Sequence, residues 1–124
     1  MVLTTSKYII RIIGISNKVV NISINNKDGH LILDEEMPSK SLYDIMYGIF
    51  YLIEESISID LKFPINNTQY AYILYGGKTN NFSGSYHLIL IRQNLTNDDD
   101  FVIADEFLEY YQLKNIINEI NNFN

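Results

Sequence analysis

The residues of this chain that could do chemistry are two histidines, one Gly-Gly-Lys-Thr run and several bunched carboxylates. His30 and His87 are the only imidazoles, and an imidazole can serve as general base or metal ligand near neutral pH. Neither has a second histidine or an acid three or four residues along a helix, the spacing that aims two ligands at one ion. Both read as strand histidines. Gly76-Gly77-Lys78-Thr79 suggests a phosphate loop, but the earlier glycine of that pattern is missing and a strand follows instead of a helix. The run therefore reads as part of a hairpin loop, Gly76 to Ser85. A small-ligand or nucleotide-binding enzyme built there would need a concave pocket holding Lys78 and His87.

Ten of the fifteen carboxylates fall in four groups: Asp34-Glu35-Glu36, Glu54-Glu55, Asp98-Asp99-Asp100 and Asp105-Glu106. Acid–base catalysis by paired carboxylates needs two of them converging from different segments in a cleft. The sequence places them in loops and at helix starts, where solvated surface is the ordinary explanation. Asp98 to Asp100 lacks the alternating ligands, central glycine and distal glutamate of a calcium loop. It reads either as a solvated loop or as an acidic finger offered to a cationic surface. No metal site and no cofactor site is expected.

Tyrosine is the other asset. Tyr43, Tyr47 and Tyr51 recur every four residues, so on a helix they form one strip, with Gly48 leaving a notch beside it. Tyrosine supplies apolar area plus a hydroxyl and is enriched at binding hot spots. The competing reading packs the strip beneath a neighbouring element.

The bulk numbers narrow the class. With 124 residues, 47% apolar composition, ten Tyr and six Phe, the chain can bury one core without staples. No Cys excludes disulfides, thiolate catalysis and Cys-ligated zinc. Fifteen acids against nine bases leave a formal charge of −6, which opposes direct nucleic-acid binding and suits a basic protein partner. The N-terminal residues lack the pattern of a signal peptide, and the apolar run Ile45 to Ile53 is too short to span a bilayer. A cytoplasmic protein, away from membranes, is the expectation.

These residues need elements to hold them. Apolar periodicity predicts strands over Lys7 to Ile13, Val20 to Ile24 and His30 to Asp34, with Asp28-Gly29 turning the last hairpin. Ser41, with Asp44 three residues on, predicts an N-cap for a helix to about Ser56. Strands then follow over Ile57 to Phe63, stopped by Pro64, and over Gln69 to Tyr75 and Tyr86 to Arg92. Phe101 to Ala104 reads as a short strand, and Asp105 as the cap of a last helix reaching Asn121, with both chain ends frayed. The sum is a single α+β domain over residues 1–124: a mostly antiparallel sheet of five to six strands carrying two helices, in the order βββα-βββ-α.

The functional expectation is a small acidic protein-binding inhibitor that occludes a basic, nuclease-type toxin or effector. Asp98, Asp99 and Asp100, with Asp34, Glu35 and Glu36, would stand in for phosphates, and Tyr43, Tyr47 and Tyr51 would anchor the contact. In size and composition alone, the chain resembles immunity proteins of bacterial toxin systems and phage-encoded inhibitors of host defence. The alternatives are the ligand-binding enzyme above and a structural subunit that pairs through a sheet edge.

Overall fold

The computed structural model describes residues 1–79, 85–97 and 99–123. Four strands come first: β1 (Val2–Thr4), β2 (Tyr8–Gly14), β3 (Val19–Asn26) and β4 (Leu31–Pro38). Helix α1 (Lys40–Glu54) follows, then β5 (Ile59–Pro64), β6 (Tyr70–Lys78), β7 (Ser85–Asn94), β8 (Phe101–Glu109) and helix α2 (Tyr110–Asn121). The chain is thus one ββββα unit followed by another.

The strands form two antiparallel four-stranded sheets, β1-β2-β3-β4 and β5-β6-β7-β8, instead of the single sheet of five to six strands expected. Alternation marks each strand locally, but it does not mark where one run of paired neighbours ends and the next begins. Here each meander pairs only with itself, and α1 separates them. Their inner faces supply one core: Ile12, Ile22, Ile24 and Met37 from the first sheet, Tyr72, Leu74, Leu88 and Ile103 from the second. Leu42, Ile49 and Leu52 of α1 and Leu113 and Ile120 of α2 join the same cluster. Both helices therefore turn an apolar side to this core.

Three local expectations change. Residues 2–4 do not fray but pair with β2, Val2 opposite Arg11. Ser41 does not cap α1: it is buried inside the first turn, while the cap residue Ser39 turns its Oγ to the Asn17 carbonyl at 3.0 Å. Asp105 does not start α2, because β8 stays paired with β7 as far as Glu109, opposite Ser85. The ladder with β7 takes up the backbone groups of β8 as far as Glu109, so the helix starts only after it. A capping box closes α2 instead: the Glu109 side chain accepts from the Gln112 N–H, and the Gln112 side chain accepts from the Glu109 N–H.

Two glycines serve packing. A Cβ on Gly48 would collide with the Leu61 side chain, so the notch beside the tyrosines is where α1 presses on β5. At Gly76 a Cβ would stand 2.9 Å from both Leu52 and Ile59 side chains. Gly76 and Lys78 are strand, so the expected loop shrinks, and its residues 80–84 lie outside the described ones.

Candidate functional site

The strands of the second sheet turn alternate residues outward. With Leu88 and Leu108 inside, β7 presents His87 and Ile89 to the other face, and β8 presents Asp105 and Phe107. His87 lies directly opposite Phe107, and their rings stack with centroids 4.5 Å apart and planes within 10°. Its Nε2 meets Asp105 Oδ1 at 2.5 Å. This pair fixes one orientation of the imidazole on an open sheet face. Around it Tyr75, Gly77, Lys78, Thr79 and Ile89 line a shallow concavity of about 450 Å³. Lys78 and His87 therefore do share a concave surface.

That face is apolar and solvent-exposed at several points. Phe107 is 55% exposed, Val102 45% and Tyr75 39%. Asp99 and Asp100, at the β7–β8 turn, are exposed and lead directly into β8. The Asp99 N–H donates to Asn97 Oδ1 at 2.8 Å, which shapes the turn. Asp98 lies outside the described residues.

Glu35 has a different place from its neighbours. Strand alternation sends Asp34 and Glu36 to the solvent face of β4 and Glu35 inward, across to the other sheet. Arg92 of β7 donates from Nε to Glu35 Oε1 at 2.8 Å and from Nη2 to the same oxygen. The Tyr72 hydroxyl donates to Oε2 at 2.8 Å, and the guanidinium lies 3.4 Å from the Tyr70 ring centroid. Burial pushes the Tyr72 hydroxyl far above the usual phenol range, with the Glu35 charge adding to it. For Arg92 burial works against the charged form, but Glu35 outweighs it and the net shift is upward. Glu35 is thus a clip between the two ββββα units and is not offered to a partner. Asp34 remains outside, accepting from Asn21 Nδ2 at 2.8 Å.

Glu54 is also engaged within the fold. It accepts from the Tyr110 hydroxyl at 2.6 Å and lies 3.6 Å from Lys114 Nζ, linking α1 to α2. The Tyr110 hydrogen bond, above all, holds its carboxyl below the usual range. Glu106 accepts from the Ser6 N–H at 2.5 Å and so ties β8 to the segment after β1. No group of three or more His, Asp or Glu among the described residues is placed to hold a metal ion.

The tyrosine strip is exposed: Tyr43 by 36%, Tyr47 by 56% and Tyr51 by 49%. Tyr47 and Tyr51 line a concavity of about 520 Å³ between α1 and β5, with Asp44, Ile57, Leu61 and Lys62. Neither Asp34 and Glu36 nor Asp99 and Asp100 line it, whereas Asp44 does. A separate apolar cleft of about 450 Å³ opens between the sheets near Leu3, Leu90, Leu108 and Ile116. Sequence reading missed the His87–Asp105–Phe107 group and the Glu35–Arg92 clip. The alternation of β8 was the signal for the first, while nothing local points to the second.

The chain matches no protein-family model, no curated protein and no solved structure. No helix among the described residues is long and apolar enough to cross a membrane.

Proposed function

We propose that the chain is a small acidic protein-binding inhibitor, of the immunity or anti-defence kind, that occludes a basic, nuclease-type toxin or effector. One observation carries this reading: the β7–β8 hairpin joins exposed Val102 and Phe107 to the exposed acids Asp99, Asp100 and Asp105. An apolar centre rimmed by charge is the usual anatomy of a protein interface. The apolar side chains would lose water against the partner. The acids would take the place of phosphates on its basic surface, steering encounter through the net charge of −6. Asp34 and Glu36 supply further negative charge on the first sheet, whereas Glu35 is excluded by its bond to Arg92.

The test is a pull-down from host lysate at low and high salt, followed by assay of the captured protein's nuclease activity. Wild type should recover a basic protein at low salt and inhibit it, and Asp99→Asn/Asp100→Asn and Phe107→Ser should each lose it while folding normally. Undiminished inhibition by both variants would reject the hairpin as the binding element. The concavity holding Lys78 and His87 favours the ligand-binding enzyme as second reading. A thermal shift with nucleotides or phosphorylated metabolites, abolished by Lys78→Ala, would support it.

A further inference from the structure

Among the described residues, strand β5 pairs with β6 on one side and ends its sheet on the other. The Ile65 N–H donates to the Tyr70 carbonyl at 3.0 Å, continuing the β5–β6 ladder. Hydrogen-bonded and open pairs alternate along an antiparallel ladder. Phe63, Leu61 and Ile59 therefore turn their backbone groups to β6. Asp60 and Lys62 turn theirs to the free edge. Pro64 follows them and has no N–H to offer.

We propose that this edge pairs antiparallel with β5 of a second copy, about a two-fold axis at Leu61. Main-chain bonds across the axis can form only between edge-facing residues, which leaves three symmetric registers, centred on residues 60, 61 and 62. Centring on Asp60 opposes two aspartates, and centring on Lys62 opposes two lysines. Centring on Leu61 sets each Asp60 opposite the Lys62 of the other copy, twice. Directly opposed residues share a face, so opposite charges there attract and like charges repel. The side-chain charges thus select one register of a self-complementary interface.

The helices fit the same arrangement. α1 lies over β5 and β6 alike, pressed down at Gly48. Joining two β5 strands at about 4.8 Å would set the two α1 helices about 10 Å apart, within the range of packed helices. The side of α1 facing that gap carries Tyr47 and Tyr51. The dimer would close the concavity between α1 and β5 over these exposed rings. It leaves the outer face of the second sheet open, so it neither requires nor excludes the inhibitory contact proposed above.

Sedimentation velocity of the full chain across a wide concentration range is the test, with circular dichroism to confirm folding. Wild type should sediment as a dimer of 14.4 kDa chains. Asp60→Lys alone and Lys62→Asp alone should each weaken association by roughly tenfold or more, since both oppose like charges twice. Asp60→Lys with Lys62→Asp should restore the dimer. A monomeric wild type overturns the proposal, as does a dimer indifferent to the single reversals or one that the double reversal fails to restore.

Discussion

Replacing Arg92 by methionine isolates what the link between the two ββββα units contributes. The Glu35 and Arg92 side chains are only 11% and 15% exposed, so solvent screens the pair little. Removing one member of a buried pair costs about 3–5 kcal/mol, because the other charge stays behind without compensation. Glu35 would keep the Tyr72 hydroxyl and some contact with water, which places Arg92→Met near the lower end, about 3 kcal/mol. For a chain of this length, that is a fall in Tm of about 10 °C. Taking both charges away, in Glu35→Met/Arg92→Met, removes the stranded carboxylate and should recover roughly half of that loss or more. Urea denaturation of the wild type, the two single variants and the double variant completes the cycle. Additive losses, or Arg92→Met within about 0.5 kcal/mol of wild type, would refute a coupled clip.

Three further outcomes follow from the same structure. The Tyr72 hydroxyl ionises at higher pH when folded than when unfolded, so its contribution is whole below about pH 10 and declines as pH rises beyond it; alkaline urea titrations should show this fall reduced in Tyr72→Phe, which at neutral pH loses about 2 kcal/mol with its bond to Glu35. Gly76→Ala drives a methyl to 2.9 Å from Leu52 and Ile59 and should cost about 1–3 kcal/mol by the same assay, while Gly77→Ala, whose nearest neighbour is Ser58 Oγ at 3.7 Å, should cost less. Leu90→Phe enlarges a side chain that lines the interior cleft and should change stability by less than about 1 kcal/mol, where the same enlargement in a filled core costs about 1–3 kcal/mol.

Local pattern made much of the fold legible, and pairing made the rest obscure. The alternation of Val20, Ile22 and Ile24 located β3, and the stripe from Leu42 to Ile53 located α1, because each element records its own buried face. Phe107 and Leu108 fall within the last helix expected from Asp105, but they belong to β8, where successive side chains take opposite faces. The acids at 105 and 106 mimicked a helix start, yet Glu109 and Gln112 carried the true box and could have been read. Division into two sheets left no local mark, since β4 and β5 alternate alike whether or not they pair. The candidate site fared similarly. Exposure of the tyrosine strip depended on what covers α1, and the inward turn of Glu35 mattered only because Arg92 waits 57 residues on.

The succession of two ββββα units also bears on how the chain is made. Each strand of a sheet pairs with its neighbour in sequence, so the first sheet and α1 have all their ladder partners once residue 54 has left the ribosome. The inner face of that sheet does not have its cover. Ile22, Ile24 and Met37, nearly inaccessible in the finished protein, must wait for strands not yet translated. The covering elements, β5 to α2, occupy residues 59–121, so at about 5–20 residues per second the wait lasts several seconds. Over that interval the nascent first half is a folded-looking sheet with a bare greasy side, a natural client for chaperones and a hazard where ribosomes crowd one message.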